Sequence, residues 1–266
     1  MFEITLHTLR EKRSGILAFA IFIFIFGIVM VAAYDSIGSE LDMDELLENY
    51  PDVIMDFFGG DTIKSFGEFG GFYTLEYVTW VWFLIIPAYL AMVCSGLIAG
   101  EVENKTADTL LSYPVSRRRV LLEKYLAIIV MVAIVNFMGY LSTYIGVAAY
   151  GIDYSAKWVG FAMVQATPFL LVWTAAFTLL SVVIPDTKKV STYSIVLVFL
   201  AYFIDVLSNI WDEISFLGHF SPMNYFDPGL VMSKNIVRWG NSIFLTFLVC
   251  AIIFAGVYLF DRKDIL

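Results

Sequence analysis

The side chains of this sequence that could do chemistry by their type are mostly isolated from one another. His7 and His219 form no His-Glu-x-x-His zinc motif, and the sequence contains no Gly-x-x-x-x-Gly-Lys-Ser/Thr phosphate-binding loop. Cys94 and Cys250 both lie inside apolar runs, so neither a disulfide framework nor a cysteine metal site is indicated. These patterns give no sign of a catalytic centre, a metal site or a nucleotide site belonging to this chain.

The densest group of charged and polar residues is the loop over residues 100–124, whose sequence is GEVENKTADTLLSYPVSRRRVLLEK. Asn104 is a suitable N-cap for a short helix, Ala107, Leu110 and Leu111 give it an apolar stripe, and Pro114 ends it. A short helix with one apolar face needs a partner surface. Two alternatives remain open, a groove on another protein or the remainder of this chain.

The elements that must position this loop are membrane helices. The chain has 266 residues, of which 60% are apolar and 15% charged, and its mean hydropathy is +0.80, whereas a soluble domain is about half apolar. Each apolar run is long enough to cross a bilayer, and such runs must be helical because lipid offers no hydrogen-bond partners. We expect one all-α, polytopic transmembrane domain over residues 1–266, with six transmembrane helices. The runs cover about residues 15–34, 79–99, 126–149, 159–184, 190–210 and 243–260.

The distribution of charge predicts the orientation. An even number of spans places both termini on one side, and that side carries 12 of the 16 basic residues. The other side carries 16 of the 25 acidic residues, which accounts for most of the net charge of −9. Because basic residues mark cytoplasmic loops, both termini are predicted to be cytoplasmic. The acidic balance gives no indication of nucleic-acid binding.

Short amphipathic helices are expected outside the spans. Residues 2–13 suit a helix along the inner surface, although their basic residues could serve only to set the topology. The first outer loop predicts two short helices, one on each side of Pro51. These could form a simple lid on the bundle or take part in substrate release.

The loop over residues 100–124 resembles the signature of the ABC-2 type transporter permeases. The similarity continues in the ending Phe-Asp-Arg-Lys-Asp-Ile over residues 260–265. Family members often have Gly at the position of Lys105 and a second Leu at that of Asp108. The loop residues that carry the resemblance are Glu101, Glu103, Thr106, Leu110, Leu111, Ser112, Pro114, Val115, Ser116, Arg117, Leu122, Lys124, Tyr125, Leu126 and Ala127.

The resemblance implies a permease subunit of a prokaryotic ABC exporter in the cell membrane. In this family two permeases, identical or related, pair in the bilayer. Each offers its coupling helix to a separate ATP-binding subunit, which would bind ATP and Mg, while this chain binds no cofactor. The residues expected at the ATPase are Thr106, Ala107, Leu110, Leu111, Tyr113 and Pro114, with ionic contacts from Glu101, Glu103, Arg117, Arg118 and Arg119. The three arginines could instead serve only to retain the loop inside.

The expected function is ATP-driven export by alternating access, without a catalytic residue in this chain. Asn136, Gln165, Asp205 and Asn209 are the few polar residues in or near the spans. This scarcity favours an apolar or amphipathic cargo, although the sequence assigns no substrate pathway. The alternative function is a membrane anchor or scaffold that docks a soluble partner through the helix at 104–114. Gly96 and Gly100 form a Gly-x-x-x-Gly pair that could allow close helix packing.

Overall fold

Six long apolar helices make up most of the computed structural model, which describes residues 2–36, 65–105 and 115–262. Within these ranges the chain is all-α, without strands, and the prediction of a six-helix polytopic membrane fold is confirmed. Each helix extends past its predicted apolar run, except that α4 ends one residue short. The helices are α1 (Glu3–Ser36), α2 (Phe69–Glu103), α3 (Arg117–Tyr150), α4 (Lys157–Val183), α5 (Thr187–Ile210) and α6 (Trp239–Arg262).

Local sequence signals fix several helix ends. The side chain of Ser116 accepts a hydrogen bond from the N–H of Arg119 at 3.3 Å and so caps the start of α3. Asp186 caps α5 in the same way, through the N–H of Lys189 at 2.9 Å. At the other end of α3, Gly151 takes a φ of 66°, which glycine adopts without a steric penalty.

The amino-terminal segment differs from the prediction. It is helical, but it is continuous with the first span and forms the opening turns of α1. Thr5 and Thr8 are buried, and Thr5 donates to the Glu123 carbonyl at 2.9 Å. The sequence between Glu3 and Ser36 contains no proline to interrupt the helix. The two helices predicted in the first outer loop lie outside the described residues.

Helix α2 is irregular in its outer half. An α-helical turn, Phe69–Tyr73, is followed by two π-helical segments, Thr74–Thr79 and Val81–Ile85. Pro87 lies two residues after the second segment. Because proline has no N–H to donate to the carbonyl four residues back, the regular hydrogen bonding of the α-helix is interrupted there. The N–H of Ile86 bonds to the Val81 carbonyl five residues back. A proline inside a helix favours a kink, but nothing in the sequence predicted this change of helix type.

Helices α2, α3 and α4 form the centre of the bundle. In their most apolar windows, 67%, 61% and 61% of residues are buried, compared with 28%, 22% and 17% for α1, α5 and α6. Helix α1 packs along α3, α6 packs mainly on α4, and α5 packs on α2 and α4. The three outer helices therefore present most of their surface to lipid or to another protein.

Three glycines allow close approaches between these helices. A Cβ atom added at Gly27 of α1 would lie 2.2 Å from Ser142 Oγ of α3, and one at Gly146 would lie 2.9 Å from Val31. At Gly139 the added atom would lie 2.4 Å from the Trp82 ring of α2. The predicted Gly96–Gly100 pair has no such role, because its nearest contacts would be at an ordinary 3.7 Å.

Polar groups inside the bundle bond to one another. Trp82 Nε1 donates to Asn136 Oδ1 at 2.7 Å, and Asn136 Nδ2 donates to Thr167 Oγ1 at 2.9 Å. Tyr77 donates to the Ile23 carbonyl at 2.7 Å. These bonds join α1, α2, α3 and α4 at membrane depth, where an unpaired polar group is expensive. Asn136 therefore holds the bundle together and does not line an open pathway.

The connection between α5 and α6 covers one end of the bundle. It contains short helical turns at Asp212–Ile214, Ser215–Gly218, Pro222–Tyr225 and Pro228–Met232. The Met232 carbonyl accepts a hydrogen bond from Tyr154 at 2.8 Å and packs against Gly70 of α2. We call this end the connector face, and the end that carries Glu3 and Arg262 the terminal face.

Candidate functional site

The loop singled out by its sequence emerges from the terminal face. The residues predicted to form its docking surface, Thr106, Ala107, Leu110, Leu111, Tyr113 and Pro114, lie outside the described residues. The two segments that flank them are described, and we call these segments, residues 97–105 and 115–124, the loop base. The loop base fixes where the docking residues enter and leave the bundle.

The entry into the loop differs from the prediction at Asn104. A short helix, Ala99–Glu103, ends at Asn104, whose N–H bonds to the Gly100 carbonyl at 3.0 Å. Asn104 has a φ of −82° and a ψ of 0°, whereas an N-cap residue is typically extended. It therefore closes the preceding helix, and its prediction as the N-cap of a following helix is wrong.

Lys105 follows in the left-handed region, with a φ of 57°. Such a conformation is unfavourable for a residue with a Cβ atom and costs about 1 kcal/mol relative to glycine. A glycine at this position, which the resemblance noted above implies for the family, would adopt this conformation without that cost.

A buried ion pair joins the two sides of the loop base. Lys124 Nζ lies 2.5 Å from Glu101 Oε1 and donates to the Leu97 carbonyl at 2.6 Å. The Lys124 side chain is only 7% exposed, and that of Glu101 is 27% exposed. A buried ammonium group requires such partners, since its desolvation is otherwise uncompensated. The pair fixes the end of α2 to the start of α3, on either side of the docking residues.

The loop base also contacts α5 and α4. Glu103 Oε2 accepts hydrogen bonds from the Thr187 hydroxyl at 2.6 Å and the Thr187 N–H at 3.2 Å, at the first residue of α5. In α4, Ser181 Oγ accepts from the N–H groups of Ile98 and Ala99, at 3.1 and 3.0 Å. The backbone N–H groups exposed by the break at residues 96–98 are thus satisfied by a neighbouring helix.

The start of α5 carries a second carboxylate. The Lys189 N–H donates to Asp186 and, with the nearby Lys189 ammonium group, holds the pKa of that carboxyl below its usual range. Two acidic residues, Glu103 and Asp186, therefore lie at the amino-terminal end of α5, where the helix dipole favours negative charge.

A further set of bonds joins the loop base to α1. Arg119 Nε lies 2.7 Å from Glu123 Oε1, and Glu123 Oε2 accepts the Ile4 N–H at 3.1 Å. Thr5 donates to the Glu123 carbonyl. Glu123 therefore satisfies one of the free backbone N–H groups at the start of α1 and ties that helix to the loop base.

The end of α6 is held by the remaining arginines. Arg118 forms an ion pair with Asp261, and Arg117 donates to the Phe260 carbonyl at 3.4 Å. Basic side chains at a helix carboxyl end are favourable because the last carbonyls there lack partners within the helix. The loop base, which belongs to α2 and α3, thus contacts the terminal-face ends of the remaining four spans, α1, α4, α5 and α6.

Five charged residues were predicted to contact the ATPase. In the structure, all five bond to other residues of this chain. Glu101, Glu103 and the three arginines all lie at the loop base, and whether they also contact a partner stays a prediction. Sequence reasoning did not single out Glu123, Lys124 or Ser181 as functional. A signal existed for Lys124, because a lysine two residues before the apolar run at 126–149 requires a partner or access to water.

A second feature is an exposed stripe on α2. This helix is the most buried of the six, yet its residues at successive turns face outward, and we call Glu76, Trp80, Leu84, Ala88 and Met92 the α2 stripe. Glu76, Trp80 and Met92 are exposed, and Leu84 and Ala88 are half-buried.

The inner part of the stripe has a helix on each side. On one side Tyr89 stacks on Phe19 of α1, with ring centroids 3.9 Å apart. On the other side Met92 and Ser95 share a recess with Thr187 and Ser191 of α5. The inner part of the stripe, from Leu84 to Met92, therefore lies between α1 and α5, and we call the surface over the whole stripe the groove.

The interior of the bundle behind this groove is filled. Trp82, Tyr73, Tyr77 and Trp173 are at most 2% exposed, and the rings of Trp82 and Tyr77 meet edge to face, 5.4 Å apart. Close packing of this kind leaves no route for a substrate between α2, α3 and α4. On the outward side of α2, by contrast, Trp80 and Met92 are exposed.

Comparison with known protein families gives one match. The model described as ABC-2 family transporter protein matches residues 2–265, which is nearly the whole chain. Comparison with curated protein sequences gives no match. The resemblance first indicated by the loop at residues 100–124 is therefore confirmed over the full bundle, and this chain belongs to the ABC-2 transporter family.

Proposed function

We propose that this chain is the permease subunit of an ATP-driven exporter in the cell membrane. A separate ABC ATP-binding subunit docks on the loop at residues 100–124 and carries the ATP and Mg. A second copy, or a related permease, completes the transport unit. The cargo is apolar or amphipathic and crosses by alternating access.

The observation that carries this proposal is the set of contacts at the loop base. A docking loop can transmit movement only if it is firmly attached to the helices that must move. Here Lys124 joins the two sides of the loop base. The links to α5, α4, α1 and α6 run through Glu103, Ser181, Glu123 and Arg118. A displacement of the docking helix would therefore act on the whole terminal face and not on one helix alone. Coupling of this kind needs two arrangements of the helices that differ in their affinity for nucleotide and for substrate.

The location proposed for the pathway is the groove over the α2 stripe. The bundle interior is filled, and the groove exposes Glu76, an ionisable side chain that is expensive to leave in lipid. A second permease facing this groove would remove the carboxylate from lipid and enclose a path between the two chains.

The orientation proposed places the terminal face in the cytoplasm. Both described ends of the chain, Glu3 and Arg262, lie at this face, and so does the loop base with Arg117 to Arg119. Basic residues are retained on the cytoplasmic side. The docking loop would then be accessible to a soluble ATPase.

Co-purification tests the proposal. The chain is purified from its native membranes with and without the paired change Leu110→Asp and Leu111→Asp, and bound proteins are identified together with ATPase activity. We expect the native chain to retain an ATP-binding protein that has a phosphate-binding loop. The paired change should remove at least nine-tenths of it, because two carboxylates cannot enter an apolar groove without partners.

A matched control places one carboxylate on the connector face. Phe216 is 60% exposed there, so Phe216→Asp should leave the bound ATPase unchanged. Retention of the ATPase by the double variant would refute docking through this helix. Recovery of a protein without a nucleotide site would instead favour the anchor or scaffold.

A further inference from the structure

The predicted span at residues 79–99 left Glu76 on the outer side, but the contacts of its neighbour with α1 place it level with the apolar part of that helix. The next residue, Tyr77, bonds to the Ile23 carbonyl of α1, and its ring lies 5.6 Å from that of Phe26. Both contacts fall in the middle of the apolar part of α1. From Phe26 to Tyr34, at the outer end of that run, is about 12 Å of helix at 1.5 Å per residue. The carboxylate is therefore about two turns below the outer boundary of the apolar layer.

Within the described part of the chain, Glu76 has no hydrogen bond or ion pair. The six apolar runs contain no Lys or Arg, although Lys157 lies two residues before the run at 159–184. An exposed acidic side chain in lipid is costly, so such residues usually face a partner charge or a substrate. The described residues of its own chain offer Glu76 no partner charge, so a cationic ligand would supply one.

Aromatic side chains are exposed near the same depth on both α2 and α1. Trp80 lies one turn further along the stripe and is 49% exposed. On the wall formed by α1, Phe22 lies between Phe19 and Phe26 in a row of contacting rings, with centroids 6.1 and 5.8 Å apart. A cation close to aromatic faces is attracted to them, and the attraction is larger where water is excluded. A carboxylate beside exposed rings favours a ligand that is both cationic and apolar.

We propose that the groove over the α2 stripe binds lipophilic cations, with Glu76 as the counter-charge and Trp80 as an aromatic contact. This assignment names the substrate class of the proposed exporter and rests on that function. The cation would enter the groove by its apolar parts, as an amphipathic cargo does, and be selected from neutral molecules of similar size by the carboxylate.

The test measures binding of tetraphenylphosphonium to the purified full chain in phosphatidylglycerol nanodiscs by equilibrium dialysis. We expect Glu76→Gln to weaken this binding at least tenfold, and Glu76→Asp, which keeps the charge, to weaken it by less than threefold. Binding of the neutral triphenylphosphine oxide should be the same for the native chain and for Glu76→Gln. As the matched control, Glu213→Gln removes an exposed carboxylate from the connector face and should change neither affinity.

Equal affinity of the native chain and Glu76→Gln for the phosphonium, or no binding by either, would overturn the assignment. A second set of nanodiscs made of phosphatidylcholine separates a free cation from a lipid headgroup. If the native chain binds the phosphonium with the same affinity in phosphatidylcholine as in phosphatidylglycerol, a free cargo is supported. A severalfold loss of that affinity in phosphatidylcholine, seen for the native chain alone, would assign the site to the choline headgroup instead. The measurement does not need the ATPase. If Glu76→Gln has no effect on cation binding but the ATPase still co-purifies from native membranes, only this inference is refuted. If the chain binds the cation but no ATPase co-purifies with it, the proposed exporter is refuted.

Discussion

At the scale of single residues, Lys124 holds the two sides of the loop base together. Its ammonium group is enclosed, contacts Glu101 and the Leu97 carbonyl, and is far less exposed than the arginines nearby. A buried pair is strongly destabilising to break from one side, because the remaining charge loses its partner. An exposed pair contributes at most about 1 kcal/mol.

A double-mutant cycle should show this difference. We expect the variants Lys124→Met, Glu101→Gln and their combination to give a coupling energy of about 2 kcal/mol in the free energy of unfolding, measured in mixed detergent micelles. The exposed pair offers the comparison, because the Arg118 side chain is 70% exposed. Arg118→Gln with Asp261→Asn should couple by less than about 1 kcal/mol. Coupling energies of equal size would show that burial of Lys124 is not what stabilises the loop base.

The sequence located the loop but not the bonds at its base. Glu101, Glu103 and the three arginines were recognised as charged groups beside a docking helix, and a single sequence cannot tell whether such groups face a partner or the chain itself. The choice depends on which helix ends are neighbours, as when Glu103 meets Thr187, 84 positions away. Asn104 was misassigned because asparagine is compatible both with an N-cap and with the end of a helix.

At the scale of elements, the packing of α2 against α3 depends on Gly139. The Trp82 ring occupies the space that a Cβ atom would need, and it also donates to Asn136 one turn away. Any larger residue at Gly139 must displace a fully buried indole and disturb that hydrogen bond.

Gly139→Ala should therefore lower the free energy of unfolding by about 1–3 kcal/mol, as overpacking of a closely packed core does. Gly240 of α6 is the matched control, since nothing lies within 4 Å of a Cβ atom built there. Gly240→Ala is expected to be neutral or slightly stabilising, because alanine favours the helix. Thermal unfolding of the two variants in the same detergent gives the comparison. A similar loss in both would mean that backbone freedom, and not contact with Trp82, sets the cost.

The number and type of elements were predictable because each span requires an uninterrupted apolar run, and hydropathy records that directly. The interior geometry was not. The π-helical turns before Pro87 and the continuity of α1 with its amino-terminal segment depend on tertiary contacts, such as Thr5 with Glu123. The sequence also did not predict the α2 stripe. The span of α2 is apolar on all sides, so only its packing against the other helices shows which side is exposed.

At the scale of the whole molecule, the two ends of the bundle are chemically different. The terminal face carries the loop base, whose ion pairs and hydrogen bonds link it to the other spans. The connector face carries the short helical turns between α5 and α6, and it exposes large apolar side chains, including Phe216 and Phe220. Our account places the ATPase at the first of these ends and the exit for the cargo at the second.

Site-specific photocrosslinking in native membranes tests this account most directly. A photoreactive phenylalanine analogue is introduced at Leu111 in one variant and at Phe216 in another, and the crosslinked products are identified by mass spectrometry. We predict that position 111 captures a protein with an ATP-binding phosphate loop and that position 216 does not. Absence of an ATPase from the products at position 111, or its capture at position 216, would contradict the proposed docking and with it the central claim.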